Sequence, residues 1–461
     1  MTQRAQPTHF VGIAGAGMSS LAAILLATGE LVSGCDLYPN DATRMLASRG
    51  ARIFEGHAAA HAAVAGRVIT TRAASEAPDV AEAERLGVPI VKRAALLGQL
   101  MAERQGVAVA GTHGKTTTTS LIAMMLLESG ADPSVLIGGV PVGWELGGRY
   151  GAGEWFVAEA DEFDRSFLHL HPDIAVVTGI EMDHPDTYAD LADVTAAFRQ
   201  FLEGIRTGGT IVVFAGDTEA LSLARTVATA RGLQIETYGD GEGTDWRPLV
   251  VGTEEGRTLV DVVHPGGVLR GLRTALPGYY NLNNLAGAIA GAVRAGVPLD
   301  AVRAAVENFR GVSRRWEQKG EAGGVLVIDD YAHHPAAVRT ILQSARDLYA
   351  DRQVWIAFQP HTYSRTRDLL HEFAAALRLA DRAYVLDVYA AREQPDPGAS
   401  GERLASLAGT GTVFAGSVEG AAARIKADAA PGVLVLTVGA GDVTLLGPRL
   451  LEHLRDAGAG R

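Results

Sequence analysis

Short apolar runs recur along this chain, separated by stretches with helical spacing, and most of the runs are continuous rather than alternating. Phe10–Ile13, Leu31–Ser33, Val107–Ala110, Trp155–Ala158, Ile174–Thr178, Thr210–Phe214, Val325–Ile328, Val354–Phe358, Ala383–Leu386 and Val433–Val438 read as strands. A strand that is apolar at nearly every position has to be buried on both faces, as in a parallel sheet covered by helices. Ser19–Ala27 and Thr117–Ser129 read as two of those helices. Strand–helix alternation of this kind predicts α/β architecture.

At roughly 150 residues per domain, a chain of 461 residues predicts about three domains. Three seams stand out. A helix gives way to a new strand around Arg104–Gly106. Residues 238–271 turn Gly-rich, with Leu259–Val263 and Gly267–Leu269 suggesting antiparallel excursions. At Phe309–Trp316 a helix ends and a basic Ser-Arg-Arg segment opens a new series. The expected domains are residues 1–105, 106–308 and 309–461. The formal net charge of −12 works against a general nucleic-acid groove. With no run of about 20 apolar residues, no membrane span is expected. The first 20 residues lack the layout of a signal peptide. The one cysteine, Cys35, excludes an intramolecular disulfide and fits a reducing compartment, so the expected location is cytoplasmic.

The chemistry concentrates after strands. Strand Val107–Ala110 leads into Gly111-Thr112-His113-Gly114-Lys115-Thr116-Thr117 and then a helix. This is a phosphate loop in a short form, with Val109 where the strict motif has glycine. In such a loop backbone N–H groups and the helix N-terminus cradle phosphates; Lys115 would neutralise them, and Thr116 would place its hydroxyl on Mg²⁺. Glu159, Asp161, Glu162 and Asp164 follow the next strand, where such a metal needs carboxylates. Glu181, Asp183 and His184 follow another. Earlier, strand Phe10–Ile13 runs into Gly12, Gly15 and Gly17, and the second strand ends at Asp36. That spacing is not the dinucleotide fingerprint. A dinucleotide, another nucleoside diphosphate and a plain tight turn all remain open. Asn281 and Asn284 open an alanine-rich helix, as caps or as adenine contacts. In the last third, Asp329–Pro335, Gln359–Asp368 and Asp387–Glu393 follow successive strands. They mark the carboxyl edge of an open sheet, where paired His and Arg hold carboxylates or phosphates.

These motifs together resemble the Mur ligases of peptidoglycan synthesis. The residues that carry the likeness run in order: His9–Ser19, Gly111–Thr118, Glu159–Glu162, Asp183-His184 with Asp186-Thr-Tyr188, Arg314-Arg315, Asp329–Pro335, Gln359–Asp368, Val388–Ala391 and Gly439–Asp442. The resemblance implies three α/β domains: a Rossmann-like N-terminal domain, a central P-loop ATPase domain and a Rossmann-like C-terminal domain. It implies joining of L-alanine to the lactyl carboxylate of UDP-N-acetylmuramate at the expense of ATP, with Mg²⁺, by a monomer or weak homodimer. Gly15, Ala16, Gly17, Met18, Ser19 and Asp36 would bind the UDP-sugar. Gly111 to Thr117, Asn281, Asn284, Arg314 and Asp330 would bind ATP, and Thr116, Glu159 and His184 the metal. Tyr331, His333, His361 and Arg365 would face the amino acid. Lys115, Glu159, His184, His333 and Arg365 would form the catalytic set.

Six positions depart from the family pattern: Ala14 for glycine, Phe163 for serine, Gly179 for asparagine, Pro185 for methionine, Tyr280 for histidine and Thr362 for arginine. Three rivals remain. One is a recycling ligase that adds a murein tripeptide to the same sugar nucleotide. An NAD-dependent oxidoreductase built on the first loop and Asp36 would leave Lys115, Glu159 and His184 unexplained. The third is a nucleotide-binding regulator without catalysis.

Overall fold

The computed structural model describes residues 6–184, 187–254, 257–391 and 393–458; Pro185, Asp186 and Arg392 of the motifs above lie outside them. The chain divides into two compact units, Met1–Arg310 and Gly311–Arg461.

The first unit opens with a five-stranded parallel sheet in the order Arg52–Glu55, Val32–Asp36, Thr8–Val11, Arg67–Thr70, Ile90–Lys92. The chain first builds outward from Thr8–Val11 on one side and then crosses to the other. That reversal beside the first strand is where open α/β sheets bind ligands. The strand stops at Val11, short of the apolar run's end, because Gly12 takes a φ of +82° and turns the chain. Helix Ala16–Ala27 follows, buried on every side from Met18 to Leu25.

A second sheet runs Gln234–Tyr238, Thr210–Phe214, Ile174–Val177, Gln105–Ala110, Trp155–Glu159, Ser134–Leu136, Gly148–Arg149. All pairs are parallel except the last. Gln105–Ala110 is therefore central, and its neighbours deliver their carboxyl ends beside its own. Helix Ala16–Ala27 packs on the hairpin at the sheet's edge, so closely that a Cβ on Gly148 would lie 2.2 Å from the Ser20 carbonyl oxygen. One apolar core runs through both sheets. Within it the Phe167 ring meets those of Phe198 and Phe201, each at 5.1 Å between centroids. The Gly-rich excursion is a three-stranded antiparallel sheet, Arg247–Glu254, Arg257–His264 and Gly267–Thr274.

The second unit has a six-stranded sheet in the order Glu317–Ala322, Val325–Asp330, Val433–Val438, Gln353–Phe358, Arg382–Leu386, Thr412–Gly416. Only the first strand is antiparallel. Leu326, Ile328, Val354 and Ile356 face helices Pro335–Leu348, Leu370–Leu377 and Gly401–Ala408. Val325, Val327, Trp355 and Ala357 face Val418–Asp428 and Leu446–Gly458. Both faces are buried, which is why these strands read as unbroken apolar runs. Among the described residues no helix is long and apolar enough to cross a membrane.

Candidate active site

The phosphate loop joins the central strand Gln105–Ala110 to helix Lys115–Glu128. Gly114 occupies the N-cap with φ +81°, and a Cβ there would lie 2.4 Å from Asn284 Oδ1, so glycine is required twice over. Thr112 donates its N–H to the Gly179 carbonyl (3.1 Å), and its hydroxyl accepts from the Glu181 N–H (2.8 Å). The loop is thus pinned to the end of strand Ile174–Val177. Gly179 itself has φ +148°, a conformation that residues with side chains rarely adopt and glycine takes freely.

Two carboxylates from the end of strand Trp155–Glu159 meet this loop. Lys115 Nζ pairs with Glu162 at 2.8 Å and also donates to the carbonyls of Gly111 and Thr112. Burial works against the Lys115 charge, but Glu162, Asp161 and Glu159 outweigh it and hold its pKa above the ordinary lysine value. Burial likewise pushes Glu162 up, only partly offset by Lys115. Glu159 accepts from the Thr116 hydroxyl (3.1 Å) on one oxygen and from the Gly138 N–H (2.8 Å) on the other. A hydroxyl and a carboxylate so placed at a phosphate loop are the hard oxygen donors that Mg²⁺ takes, and the donor set fits that ion.

His184 has φ +55°, packs edge-on against Phe163 (5.2 Å) and lies 3.9 Å from the Asp183 carboxylate. Its carbonyl accepts from the N–H groups of Thr187 (2.8 Å) and Tyr188 (3.0 Å), which fixes it in the turn after strand Ile174–Val177. The unexpected Phe163 is thus the surface on which His184 rests. Asn284 packs on Gly114, and Asn281 donates to the Pro277 carbonyl (2.7 Å) and accepts from Asn284 (3.2 Å). Neither caps the helix Tyr279–Arg294, whose N-cap is Gly278. The capping reading is corrected: both asparagines lie within the helix and one supports the phosphate loop.

The first glycine loop is held by Asp36. Its carboxylate accepts from the N–H groups of Ala14 (2.9 Å) and Tyr38 (3.0 Å), one on each oxygen, and so ties the loop to the end of strand Val32–Asp36. Gly15 is the N-cap of helix Ala16–Ala27, in which Met18 and Ser19 are buried. Arg93 lies against Gly17 and 3.7 Å from Asp161. It links the two loops, and nothing in its surrounding sequence marked it.

In the second unit Asp330 is buried and accepts from the N–H groups of Trp316 (2.7 Å) and Ala332 (2.8 Å). Burial raises its pKa to about 6, against the pull of Arg315. Arg314 donates to the carbonyls of Gly439, Ala440 and Gly441 and shares the Tyr331 ring with Arg315. Its guanidinium shapes the loop after the central strand. The His333 ring lies 5.3 Å from Tyr331 and 5.8 Å from His361, which stacks on Tyr389 at 5.7 Å. Burial first and the Arg365 charge second lower His333 to about 3 and His361 to about 4. Both imidazoles are neutral near pH 7, and Arg365 is the cation they share. Thr362 holds φ +64°, ψ 144°, a region that costs a β-branched residue about 1–3 kcal/mol. Its N–H binds the Tyr389 carbonyl (2.9 Å), clipping the Gln359–Thr362 loop to the neighbouring strand's end.

A phosphate loop with paired carboxylates beside a nucleotide-type glycine loop, and a second α/β unit with a His–Arg cluster, define a multidomain ATP-using ligase. Three family models cover the chain in order: the Mur ligase family catalytic domain over residues 7–105, the Mur ligase middle domain over 109–292 and the Mur ligase glutamate ligase domain over 314–441. The chain belongs to the Mur ligase family. It is 42% identical over 465 residues to the UDP-N-acetylmuramate–L-alanine ligase of Koribacter versatilis, covering 98% of each chain. It is 41% identical to the ligase of the same name from Streptomyces avermitilis, covering 97% of each. Among solved structures it is similar to the UDP-N-acetylmuramate–alanine ligase of Thermotoga maritima, with TM-score 0.83, 27% identity, and 98% and 100% of the two chains covered. It is also similar to a murein peptide ligase of Psychrobacter arcticus, with TM-score 0.71, 28% identity, and 98% and 99% covered.

Proposed function

We propose that this chain joins L-alanine to the lactyl carboxylate of UDP-N-acetylmuramate, consuming ATP, in the synthesis of peptidoglycan precursors in the cytoplasm. The near full-length identity to relatives bearing that activity in their names carries the choice of substrates. The residues supply a chemical route. A carboxylate acylates amines poorly because oxide is a bad leaving group. Attack of that carboxylate on the γ-phosphate releases ADP and makes an acyl phosphate. The alanine amine then attacks the acyl carbon, loses a proton, and inorganic phosphate leaves.

The protein's part is positioning and charge neutralisation. Residues 1–105 would hold the UDP-sugar through the Gly15–Ser19 loop, 106–308 the ATP, and 309–461 the amino acid. The loop N–H groups between Gly111 and Thr117 would cradle the phosphates, and Lys115 would leave Glu162 in part to meet the γ-phosphate. Thr116 and Glu159 would hold Mg²⁺, which when bound neutralises phosphate oxygens as a Lewis acid. His184 stands one strand away as an additional candidate ligand. Arg365 would take the alanine carboxylate, with neutral His333 and His361 around the amine. Mass spectrometry of the product tests this reading: UDP-N-acetylmuramate should gain one alanine residue, and a product without that gain would refute it.

Two smaller predictions arise from the metal side. Glu159→Ala and His184→Ala should each raise the Mg²⁺ concentration needed for half-maximal rate, Glu159→Ala more, because an imidazole is a poorer Mg²⁺ ligand than a carboxylate. An unchanged Mg²⁺ titration in both variants would remove them from the metal site. Some Mur ligases hold a second Mg²⁺ on a carbamylated lysine of the central domain. Here no lysine lies between Lys115 and Lys319. Activity should therefore be unaffected by CO₂ depletion at fixed pH, and a loss restored by bicarbonate would contradict this.

A further inference from the structure

Away from the phosphate loop, the N-terminal sheet buries a group of metal-type side chains. His9 on strand Thr8–Val11, Cys35 on Val32–Asp36, His61 on the short helix Ala59–Ala62 and Asp79 on helix Pro78–Leu86 bring one donor atom each within 4.8 Å of one another. His9, Cys35 and Asp79 are fully buried. Asp79 Oδ1 is the hub, 3.3 Å from His9 Nε2, 3.4 Å from Cys35 Sγ and 2.8 Å from His61 Nδ1. His57 closes the side, its Nδ1 3.1 Å from Cys35 Sγ and 3.8 Å from Asp79 Oδ2.

A hydrogen-bonded polar cluster would be the simple account, but it leaves buried atoms unsatisfied. Neither His9 Nε2 nor Asp79 Oδ2 has a hydrogen-bond partner. Such orphans are rare in protein interiors because each loses its hydration without a replacement bond. The His9 ring is already oriented, since its Nδ1 is 2.9 Å from the Ser33 hydroxyl. With Nδ1 donating there, the Nε2 lone pair points into the cluster, the outer-partner arrangement common for metal-bound histidines.

From this geometry we infer that His9, Cys35, His61 and Asp79 form a structural site for a divalent transition metal of zinc type. Tetrahedral zinc with bonds of about 2.0–2.3 Å needs ligand–ligand edges of roughly 3.3–3.7 Å, close to the 3.3 Å and 3.4 Å that separate Asp79 Oδ1 from His9 Nε2 and Cys35 Sγ. Two imidazoles and a thiolate select a borderline-soft ion over Mg²⁺ or Ca²⁺. A thiolate and a carboxylate together cancel a charge of +2, which makes the site neutral and suited to a dry interior. The ion would tie two sheet strands to the helices covering them. It would also brace the first glycine loop, because the Cys35 carbonyl accepts from the N–H groups of Gly12 (2.8 Å) and Ile13 (3.1 Å).

The full chain, stripped with a chelator and dialysed, should be titrated with Co²⁺ alone and separately with Zn²⁺ against a chromogenic competitor. The expected results are a thiolate-to-cobalt charge-transfer band in the near ultraviolet, saturating at one metal per chain, and a rise in melting temperature with zinc. Cys35 is the only cysteine, so that band can come from no other site. Cys35→Ser should abolish the band and weaken zinc at least 10-fold, with circular dichroism checking the fold and His61→Gln serving as a second variant. The wild-type spectrum decides alone: no charge-transfer band at stoichiometric cobalt overturns the site.

Discussion

Lys115→Ala should reduce ATP turnover by at least a factor on the order of 10²–10³, the usual cost of removing one group that neutralises developing charge in a water-poor site. Binding of the UDP-sugar should survive, because the Gly15–Ser19 loop belongs to a different sheet from the phosphate loop. The substitution also strands Glu162, which is 2% exposed and loses its 2.8 Å partner. An uncompensated buried charge costs roughly 3–5 kcal/mol, so the variant should melt earlier as well as turn over slowly. Adding Glu162→Gln separates the two effects. The double variant should regain most of the lost stability and none of the activity. Wild-type ADP release by Lys115→Ala, or rescue of turnover by the second change, would remove Lys115 from the phosphate site.

The second large effect belongs to Arg365. An amino-acid carboxylate taken from water needs a cation, and the neighbouring imidazoles, held at pKa values of about 3 and 4, carry no charge near pH 7. Removing one partner of a buried charged pair costs about 2–5 kcal/mol, which is roughly 30-fold or more in affinity. Arg365→Ala should therefore raise the KM for L-alanine by that factor and leave the KM for ATP nearly unchanged. Thr362 stands where the family pattern has a second arginine and supplies one hydroxyl without charge. Thr362→Arg should tighten alanine binding. Equal KM changes for alanine and ATP in Arg365→Ala would point to a general collapse of the second unit instead.

What the sequence disclosed and what it concealed divide along a physical line. The Gly111–Thr116 loop is local: its glycines, lysine and threonine act through the turn they themselves form, so the string reads as chemistry. The same holds for the apolar strands, whose two-sided burial is written at every position of Val433–Val438. Glu317–Ala322 escaped because an antiparallel edge strand with one open side need not be apolar. Lys115's partner could not be picked from four acids in a short loop, since the choice depends on which carboxylate turns under the helix. Asp36 stood out by its place at a strand end, but its bonds to the Ala14 and Tyr38 N–H groups form only once the glycine loop folds over it. Arg93 and the His9–Cys35–His61–Asp79 cluster were invisible for a related reason. Their members come from separate elements and meet only when the sheet and its covering helices assemble.

The account's central claim is that this chain activates a sugar-nucleotide carboxylate with ATP for attack by one small amino acid. ADP release from the pure protein, measured with UDP-N-acetylmuramate and a panel of L-alanine, glycine, L-serine and the murein tripeptide, tests it most directly. The account predicts ADP release that requires UDP-N-acetylmuramate and is fastest with L-alanine. Turnover with the tripeptide and none with the three single amino acids would contradict it.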